Sequence, residues 1–218
     1  MVSEGQPPSH DPEAIYTEDY YRGRGSGYIF SYNIMRSRAM WLPELRAIGR
    51  YGSGGAVLDV GCALGYFLNA LPGSFDKWGV DNSKYAVELA RRLVGPPERF
   101  RVYDFTQTEL FGSEQMFDLV TCFNVLEHFE DPRHAVKKLF TLCKPNGLVF
   151  ARFPFRDPPM CRDRYHYYRP IAEWLSYFRD WGDSVEERYY FTFWGKYSDI
   201  RMPRSLANFA ALIFRARC

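Results

Sequence analysis

The chain has 218 residues, 46% of them apolar and 18% aromatic, enough to build one domain around a substantial core. A net charge of +2 is too small to argue for nucleic acid, and no apolar run is long enough to cross a bilayer. The five cysteines (Cys62, Cys122, Cys143, Cys161, Cys218) contain no C-x-x-C pair, so neither a zinc site nor a disulfide framework is indicated and no metal is assigned.

Charge is unevenly spread. Residues 151–218 hold 12 Lys and Arg against 8 Asp and Glu, so the positive excess lies downstream and the earlier part is slightly acidic. That arrangement suits a small anionic substrate. The opening stretch, Met1-Val2-Ser3-Glu4-Gly5-Gln6-Pro7-Pro8, has no charged-then-apolar export pattern, and a cytoplasmic location is expected.

Residues 1–13 are polar and proline-rich and read as a disordered tail. Residues 14–50 read as a lid and covering helix. Tyrosines interleave with Arg22-Gly23-Arg24-Gly25-Ser26-Gly27, a segment able to close over a site with Tyr20, Tyr21 or Tyr28 as walls on the substrate side. Ile34, Trp41, Leu45 and Ile48 then recur at helical spacing, with Pro43 kinking that helix or starting a second one. Arg36 and Arg38 are candidate cations for a carboxylate in the site, and Arg36 is assigned to the cofactor side.

Residues 51–218 carry the main domain. Ala56-Val57-Leu58-Asp59-Val60 is a strand ending in an acid, followed by a glycine-bearing turn and the helix start Tyr66-Phe67-Leu68. Lys77-Trp78-Gly79-Val80-Asp81 reads as the second strand, Asn82 or Ser83 caps the next helix, and Phe100-Arg101-Val102-Tyr103-Asp104 is the third strand. The fourth is 117–123. Asp131-Pro132 starts a helix with Ala135, Val136, Leu139, Phe140 and Leu142 inward, and 148–153 is the fifth strand. Strands separated by helix-length segments imply right-handed crossovers and a doubly wound, mostly parallel sheet, an α/β fold. After a helix over 170–181, the stretches 185–194 and 208–216 read as two strands with no helix between them, pairing antiparallel at the sheet edge.

Open parallel sheets bind ligands at the carboxyl ends of their strands. Asp59, Asp81 and Asp104 each end a strand, in series. An acid after the second strand is placed to accept hydrogen bonds from both hydroxyls of a ribose, and Asp104 is placed to receive an adenine amino group. The turn lacks the G-x-G-x-x-G of dinucleotide sites: Gly61 and Gly65 are present with Ala63 between them, and the acid at its entrance disfavours a diphosphate.

At this point the chain resembles the class I S-adenosylmethionine-dependent methyltransferases, in particular their small-molecule, ubiquinone-biosynthesis-like branch. Val57-Leu58-Asp59-Val60-Gly61-Cys62-Ala63-Leu64-Gly65 is similar to that family's first motif, Gly79-Val80-Asp81-Asn82-Ser83 to its second-strand acid, and Tyr103-Asp104-Phe105 to its adenine-side acid. Asn124-Val125-Leu126-Glu127-His128-Phe129 is similar to the segment after the fourth strand that lines the cofactor, and Leu142-Cys143-Lys144-Pro145-Asn146-Gly147-Leu148 to the turn before the fifth. The resemblance implies a Rossmann-like, seven-stranded sheet with an antiparallel edge hairpin, S-adenosylmethionine as cofactor, and methyl transfer to an oxygen or nitrogen of a small molecule. It departs at Ala63, where the family usually has glycine; a positive φ there would add strain of about 1 kcal/mol.

Methyl transfer rests mainly on alignment, and a general base helps a hydroxyl acceptor. His166, just after strand five, is the first candidate base and His128 the second. Asp163 is a candidate to orient His166; Arg152, Arg156, Arg162 and Arg164 are candidates to hold an anionic acceptor, with Tyr167 beside them in a substrate-side segment over 152–170. Two alternatives stay open: an RNA methyltransferase, ranked lower because no separate nucleic-acid module is present, and a catalytically silent binding or scaffold subunit, which Ala63 alone supports.

Overall fold

A computed structural model describes residues 15–24, 32–105, 116–157, 166–192 and 200–217. Its strands are β1 (Gly55–Val60), β2 (Phe75–Asp81), β3 (Phe100–Val102), β4 (Phe117–Phe123), β5 (Cys143–Pro154), β6 (Gly182–Phe191), β7 (Ile200–Arg201) and β8 (Phe209–Ala216). The helices are α1 (Glu18–Tyr21), α2 (Leu42–Ile48), α3 (Tyr66–Ala70), α4 (Lys84–Val94), α5 (Arg133–Leu142) and α6 (Ile171–Arg179).

All the strands join one sheet in the order β3-β2-β1-β4-β5-β8-β6-β7. Pairing from β3 through β5 is parallel, and β8 runs antiparallel between β5 and β6. The winding direction reverses between β1 and β4, which makes the carboxyl ends of those two strands the expected ligand site.

Alternating side chains on the central strands feed two cores. Leu58, Val120, Val149 and Ala151 face α5 and α6, where Val136, Leu139, Trp174 and Phe178 are buried. Val57, Leu119 and Phe150 face the other way, against Phe67 of α3 and against Trp41, Ala47 and Ile48 of the N-terminal cover. Being buried on both faces is why β1 and β4 read as continuous apolar runs.

Local signals worked as sequence chemistry predicts. Ser83 Oγ caps α4 by accepting from the Ala86 N–H at 3.3 Å, and Asp131 Oδ1 accepts from the Arg133 N–H at 3.1 Å at the start of α5. The single covering helix does not form. Residues 32–36 and 38–41 are two short 3-10 turns, and Pro43 sits in the first turn of α2, where its missing N–H costs nothing.

Among the described residues the sheet has eight strands, where seven were expected. The extra one, β7, is a two-residue ladder on the outer side of β6, too short to show any period. A long-range ion pair fixes α2 on the sheet: Arg152 of β5 donates to Glu44 Oε1 at 2.6 Å, with both side chains at most 3% exposed.

Candidate active site

The turn after β1 runs through the left-handed region three times, at Gly61 (φ +74°), Ala63 (φ +46°) and Gly65 (φ +76°). At Gly61 a Cβ would lie 2.1 Å from Val125 Cγ2, so this turn and the loop after β4 are packed directly on one another. Ala63 carries a Cβ in a conformation suited to glycine, and the strain anticipated for it is present.

Asp81 organises this turn. Its Oδ2 accepts from the Ala63 N–H at 2.8 Å and its Oδ1 from the Ser83 N–H at 2.9 Å. Each carboxylate oxygen has further lone pairs beyond the one that each backbone bond uses. Burial outweighs the two backbone bonds and pushes the carboxyl up to about 6. Asn82, between them, is half-buried.

Asp59 is buried, and its Oδ1 accepts from Thr121 Oγ1 at 2.6 Å, joining the ends of β1 and β4. Asp104 is exposed just beyond β3, while Phe105 is buried. Lys138 of α5 backs this turn: its Nζ donates to Tyr103 Oη at 2.6 Å and lies 4.9 Å from the Phe105 ring centre.

The loop after β4 begins at Asn124, left-handed at φ +60°, whose N–H donates to the Arg152 carbonyl at 2.7 Å. A 3-10 turn, Leu126–His128, then presents Glu127 and His128. The segment after β5 returns to this loop, with the Tyr167 N–H donating to the Glu127 carbonyl at 2.7 Å. His128 and His166, 38 positions apart in sequence, end with ring centres 4.7 Å apart. His166 Nδ1 lies 3.2 Å from Tyr168 Oη.

Residues 35–195 match the model of the family described as "Methyltransferase domain". The chain belongs to that family. It is 34% identical over 125 residues to the ubiquinone biosynthesis O-methyltransferase of Bordetella avium, a match covering 56% of this chain and 50% of the relative. A second ubiquinone biosynthesis O-methyltransferase, from Thiobacillus denitrificans, is 35% identical over 101 residues, covering 45% of this chain and 44% of the relative. The chain thus spans about half the length of the curated relatives it matches. Among solved structures, the N-methyltransferase NodS of Bradyrhizobium japonicum, in complex with S-adenosylhomocysteine, superposes with a TM-score of 0.64 at 18% identity, covering 94% of this chain and 95% of the other. That likeness concerns the fold alone.

In this methyltransferase domain Asp59 and the glycine turn lie at the β1/β4 switch point and Asp81 ends the neighbouring β2, whereas Asp104 lies beyond β3, which ends at Val102 and forms the edge of the sheet. Other assignments change. Tyr21, expected as a substrate wall, is buried against Ala63, Leu64 and Ala86 and has Ser83 as a hydrogen-bond partner, so it packs on the turn after β1. Burial and the nearby Asp81 carboxylate raise its hydroxyl well above the ordinary range. Tyr20 joins the same cluster, half-buried.

Arg152, expected to hold an acceptor anion, is committed to Glu44; once buried, a guanidinium requires a carboxylate partner. Arg156 donates to the Ser205 and Ala207 carbonyls, and Arg38 to the Ala70 carbonyl. Arg36 is exposed; burial raises the Tyr66 hydroxyl at the start of α3 above its ordinary value, and the nearby Arg36 charge partly offsets that rise. Tyr28, Asp163, Arg162 and Arg164 lie outside the described residues.

One grouping was missed by reading the cysteines alone. Glu127, His128 and His166 each offer a ligand atom, all within 4.8 Å of one another. One carboxylate oxygen and two imidazole nitrogens form a donor set that first-row divalent cations accept. The adjacent Glu-His pair was visible in the sequence; its partner 38 residues later was not.

Proposed function

We propose that this protein is an S-adenosylmethionine-dependent methyltransferase acting on an oxygen or nitrogen of a small acceptor. The observation that carries the reading is the direct packing of the glycine turn, at Gly61, on the loop that presents Glu127 and His128, at Val125. It sets the cofactor-side acid and the histidine pair on opposite sides of one switch point. The O-methyltransferase relatives favour oxygen, and the basic second half favours an anionic acceptor.

When bound, the cofactor supplies a methyl group on a sulfonium, already activated for transfer. Asp81 would hold the ribose hydroxyls, Asp104 and Phe105 would border the adenine, and Arg36 would neutralise the terminal carboxylate. Gly61, Ala63, Gly65 and Asn124 would shape the backbone that receives the methionine portion, with Asp59 and Asn82 bracing the two strand ends. On the other side, Tyr167 would line the acceptor and His166 would take up the proton that its hydroxyl or amine loses on methylation. Nδ1 of His166 lies within hydrogen-bond reach of Tyr168 Oη, and the His128 ring packs against the same imidazole. A divalent cation held by Glu127, His128 and His166 would serve the same end by acidifying the acceptor hydroxyl.

Calorimetric titration with S-adenosylhomocysteine tests the reading. Two hydroxyl bonds to a carboxylate predict that Asp81→Ala weakens binding by about 100-fold or more. Absence of binding to folded wild-type protein overturns the enzyme reading in favour of a silent subunit, and unchanged affinity in Asp81→Ala overturns the ribose assignment.

A further inference from the structure

A run of ring contacts crosses the whole site. It starts at Tyr66, the first residue of α3, and passes to Tyr32 (6.2 Å between ring centres), Tyr21 (5.5 Å), Tyr20 (5.3 Å) and Tyr16 (5.0 Å). From Tyr16 it continues to His128 at 6.2 Å, edge to face, and then to His166. One end rests on the cofactor-side turn and the other on the histidine pair. Tyr16 is where the two meet.

Tyr16 is also held through its main chain. Ser83 Oγ donates to the Tyr16 carbonyl at 2.6 Å, and the Ser83 N–H is the group bound by Asp81 Oδ1. A single residue is therefore tied by its backbone to the turn assigned to the ribose and by its ring to an imidazole of the acceptor side. The adjoining α1 is only four residues long, with Glu18 and Asp19 exposed, so it has no helical stability of its own and its placement depends on these side contacts.

We propose that Tyr16 is a positioning residue for His128, and that it makes the order of the histidine pair depend on occupancy of the Asp81–Ser83 turn. Hydroxyls bound at Asp81 hold that turn in one geometry, Ser83 then holds the Tyr16 carbonyl, and the Tyr16 ring seats His128 against His166. The linkage is reciprocal, so an acceptor seated at the histidines tightens the cofactor in return. The proposal rests on the cofactor reading above, and its test separates the two.

Hydrogen exchange of the full chain, read by mass spectrometry with and without S-adenosylhomocysteine, compares the wild type with Tyr16→Phe and Tyr16→Ala. In the wild type and in Tyr16→Phe, which keeps the ring, the ligand slows exchange at residues 61–65 and also, by about fivefold or more, at 126–130 and 166–168, the low end of site-to-site coupling. In Tyr16→Ala the slowing at 61–65 persists and that at 126–130 and 166–168 is lost. Retention of the distant slowing in Tyr16→Ala overturns the proposal, as does its loss in Tyr16→Phe to the same degree. No slowing at 61–65 in any of the three overturns the cofactor reading, and the proposal with it.

Discussion

The turn after β1 and the histidine pair lie at the ends of neighbouring strands, yet they are assembled from different ranges of the chain. On the cofactor side, Asp59, Gly61, Ala63 and Gly65 fall within seven consecutive residues, and Asp81 joins them through backbone N–H groups at Ala63 and Ser83. Around the histidine pair, proposed to face the acceptor, His128 follows β4, His166 follows β5, and Tyr16 arrives from the N-terminal segment. The first half is a turn whose stereochemistry is set by its own residues. The second exists only once three distant segments are packed together, so the two halves differ in how they respond to substitution.

His166→Ala gives the sharpest separation. Methyl transfer from labelled S-adenosylmethionine to an acceptor found by a product-mass screen is expected to fall by about 10²–10⁴-fold, the usual contribution of a positioned base. Affinity for S-adenosylhomocysteine stays close to that of the wild type. Equal losses in both would show that the two halves are not separable, and an unaffected rate would remove His166 from the chemistry. The same assay after chelation, with divalent cation added back, distinguishes proton removal by a free imidazole from acidification of the acceptor by a cation on the Glu127, His128 and His166 donor set.

Protonation of Asp81 separates the halves by pH. With its carboxyl pushed up to about 6 by burial, the group is ionised at pH 7 and accepts hydroxyl bonds; below about 6 it gains a proton and loses acceptor strength. Affinity for S-adenosylhomocysteine should therefore be flat above that value and fall by up to about tenfold per pH unit below it. The contribution to folding has the opposite sense. An acid raised from 3.8 to about 6 binds more protons folded than unfolded across that window, so this group's contribution favours the folded state at low pH and that advantage is lost as pH rises through about 6. Titrations between pH 5 and 8 check the affinity, and a flat profile would show that the carboxylate does not meet the ligand.

The smallest expected effect is at Ala63. Replacing it with glycine relieves the left-handed strain but also releases more freedom in the unfolded chain, so the net gain in stability is at most about 1 kcal/mol. Denaturant unfolding measures that gain, and calorimetry should show ligand affinity unchanged or modestly tighter. A loss of stability would mean that the alanine methyl packs to advantage against Tyr21 in the cluster the two residues share.

The cofactor half was largely readable in advance because strand-end acids, glycine turns and helix caps act on near neighbours. Ser83 caps α4 as its position predicts, and the strain at Ala63 followed once φ was positive. The acceptor half was not readable to the same degree. Arg152 looked like a surface cation beside an anion site, but its partner Glu44 lies 108 positions away on a helix whose contact with the sheet has no local signature. Tyr21 looked like a wall facing an acceptor, and only the packing of α1 on the turn shows that it faces Ala63 and Leu64.

The sequence by itself determined the doubly wound, mostly parallel α/β sheet, the series of acids near its strand ends and the turn after the first strand. These follow from periodicity and turn stereochemistry acting over a few residues. Tertiary structure alone decided that β8 lies between β5 and β6, that Arg152 meets Glu44, and that Tyr16, His128 and His166 converge. Each of those contacts closes a long loop of chain, and which partner closes it depends on what else is buried with it, a property that no single segment carries.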